Sequence, residues 1–296
     1  MSFENLVEEF SSYILLEKNL SKNTKLSYTR DIKMFLDYCD KKGVDFFNIK
    51  PDVLEKYLFS LKESGYKLSS IFRKVESIRA FYKFLLITDK IKENPLAHFR
   101  PPRLEKKLPE FLSNNDIQKI FSHFSGEKFN LLRTFAAIDL LYSSGIRVSE
   151  LADLVIEGVN LSQLWIRVKG KGGKERIVPI NENTANLLKL YISERELKFS
   201  SKETDSNLFL NKSGKKMSRI QIWKDIKKIA KEAGIEKNIY PHIFRHTFAT
   251  HMLLGGADLR SIAEMLGHSS LLTTQIYTHL DNSALKAMHK KYHPRG

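Results

Sequence analysis

Between Asn94 and Pro109 the chain carries Pro95, Pro101, Pro102 and Pro109, interleaved with Arg100, Arg103, Lys106 and Lys107. Proline has no N–H to donate and biases the residue before it towards extended backbone, so neither a helix nor an interior strand runs through this stretch. The feature divides the 296 residues into two domains, expected at 1–94 and 110–296, joined by a basic linker over 95–109. At ~3.1 Å per residue, a dozen such residues span ~35–40 Å, enough for two domains to reach opposite faces of a duplex.

Charge narrows the partner. Lys and Arg number 49 against 34 Asp and Glu, a formal charge of +15, and both sides of the linker are basic. A polyanion, nucleic acid, is the leading partner class. A merely soluble basic surface is the plainer alternative. No run of 18 apolar residues is present, so no membrane span is expected. The opening MSFENLVEEF reads as an amphipathic helix without the basic n-region and apolar core of a secretory signal, and a cytoplasmic protein is expected. One cysteine, Cys39, permits no internal disulfide and no cysteine-based zinc site.

Periodicity gives the first domain four helices. Leu6, Phe10, Tyr13 and Ile14 mark one. Tyr28, Ile32, Phe35, Leu36 and Cys39 mark a second, closed by Gly43. Pro51 opens a third through Leu54, Leu58 and Leu61. Ser69 or Ser70 caps a fourth, with Ile71, Val75, Ile78, Phe81, Tyr82 and Leu85 inside. Beyond the linker, Asn114 or Asn115 caps a helix through Ile120, and Leu131–Tyr142 forms another ending at Ser143-Ser144-Gly145. Strands at Leu164–Lys169 and Glu175–Ile180 flank Gly170-Lys171-Gly172-Gly173-Lys174, a hairpin with a glycine-lysine tip. The remainder reads as helical. The fold class is therefore mainly α with a small β-hairpin or sheet.

Four ordered segments carry the chemistry: SSGIRVSELADL from Ser143, VKGKGGKERIVPI from Val168, PHIFRHTFATHMLLGG from Pro241 and LGHSSLLTTQIYTH from Leu266. Together they resemble the catalytic domain of the tyrosine recombinases of the phage-integrase family, most nearly the XerC/XerD type. The closing YHPRG and the upstream helices resemble the same type, so the resemblance covers essentially the whole chain. It implies an N-terminal helical core-binding bundle and a mixed α/β catalytic domain. It further makes Arg147 and Arg245 the catalytic arginines, His242 and His268 the histidines, Lys171 the hairpin lysine and Tyr277 the nucleophile.

These residue types suit phosphoryl transfer. The two non-bridging oxygens of a pentacoordinate phosphorus carry its charge, and guanidinium forks match them. His242 and Arg245, three apart at a helix start, share a face where free backbone N–H groups also favour an anion. Tyrosine, with a pKa of ~10, needs a proton acceptor, for which His242 or a phosphate oxygen is the candidate. His268 either donates to a non-bridging oxygen or caps a helix. Glu150, three residues past Arg147, steadies that guanidinium or forms a plain surface pair. The i, i+4 pair His242 and His246, with His251 nearby, has zinc spacing but lacks the glutamate of an HExxH motif, so no metal and no other cofactor is expected.

The resemblance implies a metal- and ATP-independent DNA strand transferase. Its partners would be double-stranded DNA carrying a short, partly palindromic site, a homo- or hetero-tetramer on two duplexes, and a septal DNA translocase as regulator. Chromosome or plasmid dimer resolution at a dif-like site follows from it. The tail Asp281–Gly296, with Leu285 and Met288 on one short face, is expected to dock on a neighbouring protomer. Within the same chemistry, a phage or transposon integrase and a type IB topoisomerase are the alternatives. A DNA-binding architectural protein is the alternative outside it.

Overall fold

The computed structural model describes residues 3–16, 22–99, 110–124, 128–170, 173–267 and 282–295. The chain falls into two compact units, Met1–Lys107 and Leu108–Gly296.

The first unit contains α1 (Phe3–Leu16), α2 (Lys22–Lys41), α3 (Pro51–Glu63) and α4 (Leu68–Ile87). Proline occupies the first position of α3, where its missing N–H has no intrahelical partner to lose. The helix α4 starts at Leu68 with Lys67 as N-cap, so Ser69 and Ser70 lie inside its first turn and do not cap it. Ile32, Phe35, Val75, Ile78, Phe81 and Tyr82 are fully buried between the helices. Each such side chain contributes roughly 1.5–3 kcal/mol relative to exposure. At the same interface the buried Asp31 of α2 accepts from Arg73, from Lys74 Nζ at 3.0 Å and from Ser77 Oγ at 2.9 Å, all on α4. Three donors offset the desolvation of one carboxylate and fix the pairing of α2 with α4.

The second unit is built around α6 (Phe129–Ser144), buried from Leu132 to its end. A helix apolar all round belongs in the middle of a domain. It packs against α8 (Glu182–Phe199), α9 (Arg219–Glu232) and α10 (Ile243–Leu254). The remaining helices are α5 (Asn114–Ser122), α7 (Val148–Asp153), α11 (Leu259–Leu266) and α12 (Asn282–Tyr292). Ser113, not Asn114 or Asn115, caps α5. Its hydroxyl accepts from Asp116 N while the Asp116 carboxylate accepts from Ser113 N, a reciprocal pairing that favours the serine.

An antiparallel sheet in the order β1-β2-β3 lies on this bundle, with β1 at Val159–Asn160, β2 at Trp165–Lys169 and β3 at Glu175–Pro179. The hairpin appears as read from the sequence, with Val168 opposite Arg176 and Lys169 opposite Glu175. The short β1 was not anticipated, since two residues carry no alternation.

In the single chain the tail rests on its own unit, with α12 packed against α10 and β3. Beyond it Arg295 pairs with the buried carboxylate of Asp139 on α6. His289 Nε2 lies 2.5 Å from Ser143 O and His293 Nε2 3.4 Å from Tyr142 O. The last carbonyls of α6 need partners, and the tail supplies them within the same chain. Among the described residues no helix is long and apolar enough to cross a membrane.

Candidate active site

The turn from α6 into α7 organises the site. Gly145 ends α6 in the left-handed conformation, φ 63°, and a Cβ there would lie 2.5 Å from Phe248 Cδ1. Only glycine fits. Two residues on, Arg147 is the N-cap of α7. Its backbone N–H donates to Glu150 Oε2 at 2.8 Å and its Nη1 to Glu150 Oε1 at 2.9 Å, so backbone and guanidinium are held by one carboxylate. The side chain of Arg147 remains 34% exposed, with donors left over.

Arg245 enters from the first turn of α10 and is 7% exposed. Its Nη1 donates to Gly145 O at 2.9 Å and its Nη2 to Leu266 O at 2.5 Å. One guanidinium thus ties the α6–α7 turn to the end of α11. Burial and the nearby Arg147 charge lower the Arg245 pKa to about 10, so it stays cationic at neutral pH. His242 is the N-cap of α10. Burial first, then the charges of Arg245, His246 and Arg147, push its pKa down. A neutral imidazole is the form able to accept a proton. His251 faces elsewhere, into the core, with Nδ1 2.9 Å from the Tyr142 hydroxyl.

Glu150 is only 4% exposed. Burial raises its pKa, but hydrogen bonds from Arg176 and the Arg147 backbone, with both guanidinium charges, outweigh burial and hold it below the usual carboxylate range. Arg176, on β3, was missed in the sequence. It sits at the same strand parity as the buried Val178, and that inward parity was the available signal.

Arg147, Glu150, His242 and Arg245 are therefore brought together. Lys171, His268 and Tyr277 lie outside the described residues. Gly170 and Gly173 bracket the first of them, with Gly170 N donating to Lys174 O at 2.7 Å. Gly267, with φ 65°, caps α11 immediately before His268. Among the described residues no three His, Cys, Asp or Glu side chains converge on a metal position.

Comparison with known proteins identifies the family. Residues 110–284 match the Phage integrase family and residues 7–88 the Phage integrase, N-terminal SAM-like domain. Tyrosine recombinase XerD of Chlorobaculum tepidum is 40% identical over 294 residues, covering 98% of this chain and 96% of that protein. The XerD of Staphylococcus aureus is 39% identical over 293 residues and covers 99% of each. Among solved structures, XerH site-specific recombinase bound to palindromic difH substrate, a post-cleavage complex, superposes with a TM-score of 0.72 at 25% identity, covering 95% of this chain and 83% of that one. XerA recombinase aligns over 99% of this chain and 100% of its own at 30% identity, with a TM-score of 0.51. The chain belongs to the phage integrase family and is a DNA strand-exchanging, site-specific tyrosine recombinase of the XerC/XerD type.

Proposed function

We propose that the hydroxyl of Tyr277 attacks a DNA phosphodiester, forming a 3′-phosphotyrosyl bond and releasing a 5′-hydroxyl; in the second transfer a partner strand's 5′-hydroxyl attacks that phosphorus, the phosphotyrosyl bond breaks and the tyrosine hydroxyl leaves. The observation that carries this reading is the pair Arg147 and Arg245, one guanidinium held by Glu150 and the other by the Gly145 carbonyl, and near enough that the Arg147 charge lowers the Arg245 pKa. Their net positive charge suits the oxygens of a phosphorane. His242, held neutral, accepts the tyrosine proton, and Lys171 at the hairpin tip protonates the leaving oxygen. The phosphotyrosine stores the bond energy, so the chemistry needs neither ATP nor a metal.

Residues 1–94 act as the core-binding domain and 110–296 as the catalytic domain, with double-stranded DNA as partner. The XerH complex with difH supports a short, partly palindromic dif-like site and a role in resolving chromosome or plasmid dimers. Strand exchange requires two duplexes and hence a homo- or hetero-tetramer. In that assembly the seat on α6, α10 and β3 that one chain fills with its own α12 is filled by a neighbour's tail. A septal DNA translocase is the proposed regulator.

A nicked suicide duplex, from which the cleaved fragment diffuses away, tests this directly. The unmutated chain is expected to form a covalent adduct equally well in excess EDTA, while Tyr277→Phe binds the duplex and forms none. A requirement for magnesium, or an adduct with Tyr277→Phe, overturns the reading. DNA binding with no adduct at all favours the architectural alternative.

A further inference from the structure

The Glu150 carboxylate is shared unequally. Arg147 gives it one backbone N–H and one guanidinium nitrogen, whereas Arg176 gives it two, Nη1 to Oε1 and Nη2 to Oε2, each at 2.9 Å. The parallel fork is the stronger geometry for a guanidinium on a carboxylate. Arg176 Nε also donates to Met265 O at 3.2 Å, in the last turn of α11. A Cβ at Gly267 would lie 3.0–3.1 Å from the Arg176 side chain, so Gly267 passes close against it. The residue that follows is His268, and Tyr277 is nine further on.

We propose that Arg176 is a positioning residue for strand cleavage: by filling both oxygens of Glu150 and the carbonyl of Met265, it keeps Arg147 available to the scissile phosphate and holds the last turn of α11. The proposal rests on the assignment of Arg147 and Tyr277 made above. Without Arg176 the buried carboxylate keeps its charge and loses its fork. Arg147, a third exposed and adjacent, is then the cation able to close a second hydrogen bond onto it, and in doing so turns away from the DNA. Lysine at 176 carries the charge but one nitrogen, and cannot hold two carboxylate oxygens and a carbonyl at once.

Among the described residues the charged groups about Glu150 are Arg147 from the start of its own helix, Arg176 from β3 and Arg245 from α10, with His242 facing Arg147 and Arg245. All are cationic or neutral, and the Arg176 hydrogen bonds head the causes that lower the Glu150 pKa. Loss of Arg176 therefore raises that pKa, and protonating Glu150 then releases Arg147.

Single-turnover cleavage of the suicide duplex at saturating protein, across pH 5.5–8.5, reads this out in the unmutated chain, Arg176→Gln, Arg176→Lys, Glu150→Gln and the double variant Glu150→Gln with Arg176→Gln. Arg176→Gln is expected to bind a half-site within about threefold of the unmutated chain and to cleave ~10²-fold more slowly at pH 7.5, the scale of a misplaced catalytic group. Its deficit is expected to shrink as the pH falls, and Arg176→Lys to lie between. Removing the orphaned charge in the double variant is expected to recover at least about tenfold of the rate and abolish that pH dependence. A purely structural arginine predicts instead additive losses, a pH-independent deficit in Arg176→Gln and no recovery in the double variant, and any of these overturns the proposal. Where Arg176→Gln fails to fold, the double variant, relieved of the buried charge, and Arg176→Lys carry the same comparison. No adduct in the unmutated chain overturns the assignment of Tyr277 chemistry and this proposal with it, whereas an adduct there combined with additive losses overturns the role of Arg176 alone.

Discussion

The guanidinium of Arg295, next to last in the chain, pairs with the carboxylate of Asp139, which is wholly buried in the central helix α6 and also accepts from Thr184 Oγ1 at 2.8 Å. The same guanidinium lies over the Phe121 ring, 4.1 Å from its centroid. The end of the chain is thereby latched to the middle of the second unit. Removing one partner of a buried pair strands the other, and since Arg295 is 28% exposed the expected cost of Arg295→Ala lies near the lower end of the usual ~3–5 kcal/mol. Replacing both partners, as Asp139→Asn with Arg295→Ala, is expected to recover part of it. Denaturant midpoints measure both, and an unchanged midpoint in Arg295→Ala contradicts the latch.

Acid should loosen the same region. His293 stacks on His289 with ring centroids 4.8 Å apart and lies equally close to Tyr142. Burial, then the His289 charge, lowers its pKa to about 3. The Arg295 charge, and that of His251 when protonated, depress it further. The folded value lies below the unfolded value of ~6.5, so the contribution to stability is complete above pH ~6.5 and is lost as the pH falls towards 3. At pH 5 the loss is about 2 kcal/mol from this residue, or roughly 4–8 °C for a domain of this size. His289 shifts in the same direction. Thermal unfolding of the unmutated chain is expected to steepen its pH dependence relative to His293→Phe, and parallel curves from pH 7 to 5 count against the assignment.

Gly145 links stability to chemistry. Alanine there faces a left-handed backbone costing ~1–2 kcal/mol, and a Cβ 2.5 Å from Phe248 and 2.7 Å from Leu266. Its carbonyl also holds Arg245. Gly145→Ala is expected to destabilise the second unit by at least ~2 kcal/mol and to slow cleavage at saturating protein more than tenfold. A variant neutral in both would show that the turn tolerates a side chain.

What the sequence revealed and what it hid divide along contact distance. The Gly145 stop, the antiparallel hairpin and the pairing of Arg147 with Glu150 are local features, written within a few residues. Local competition misled only at helix starts, where Ser113 outcompeted two asparagines because Asp116 returned its hydrogen bond. Arg176 reaches Glu150 across 26 positions and Arg295 reaches Asp139 across 156, and no spacing rule connects such pairs. For the tail the apolar face is local, whereas the polar anchors Arg295, His289 and His293 that hold it in the single chain are not.

Lys171 parts two readings by leaving-group chemistry. Protonating a departing alkoxide is worth ~10²–10⁴ in rate, whereas a thiolate departs without a proton. On a duplex whose bridging 5′-oxygen is sulfur, Lys171→Ala is expected to cleave at nearly the unmutated rate while Arg147→Ala stays slow on both substrates. Equal impairment of Lys171→Ala on oxygen and sulfur would reassign the lysine to a phosphate contact.

The central claim is that one tyrosine of the chain's eleven becomes joined to DNA within reach of Arg147 and Arg245. Proteolysis of the covalent adduct from a suicide duplex, followed by mass spectrometry of the DNA-linked peptide, measures it without any substitution. The account predicts a single modified peptide with the nucleotide on Tyr277. A linkage through another tyrosine, or through a serine, would contradict it.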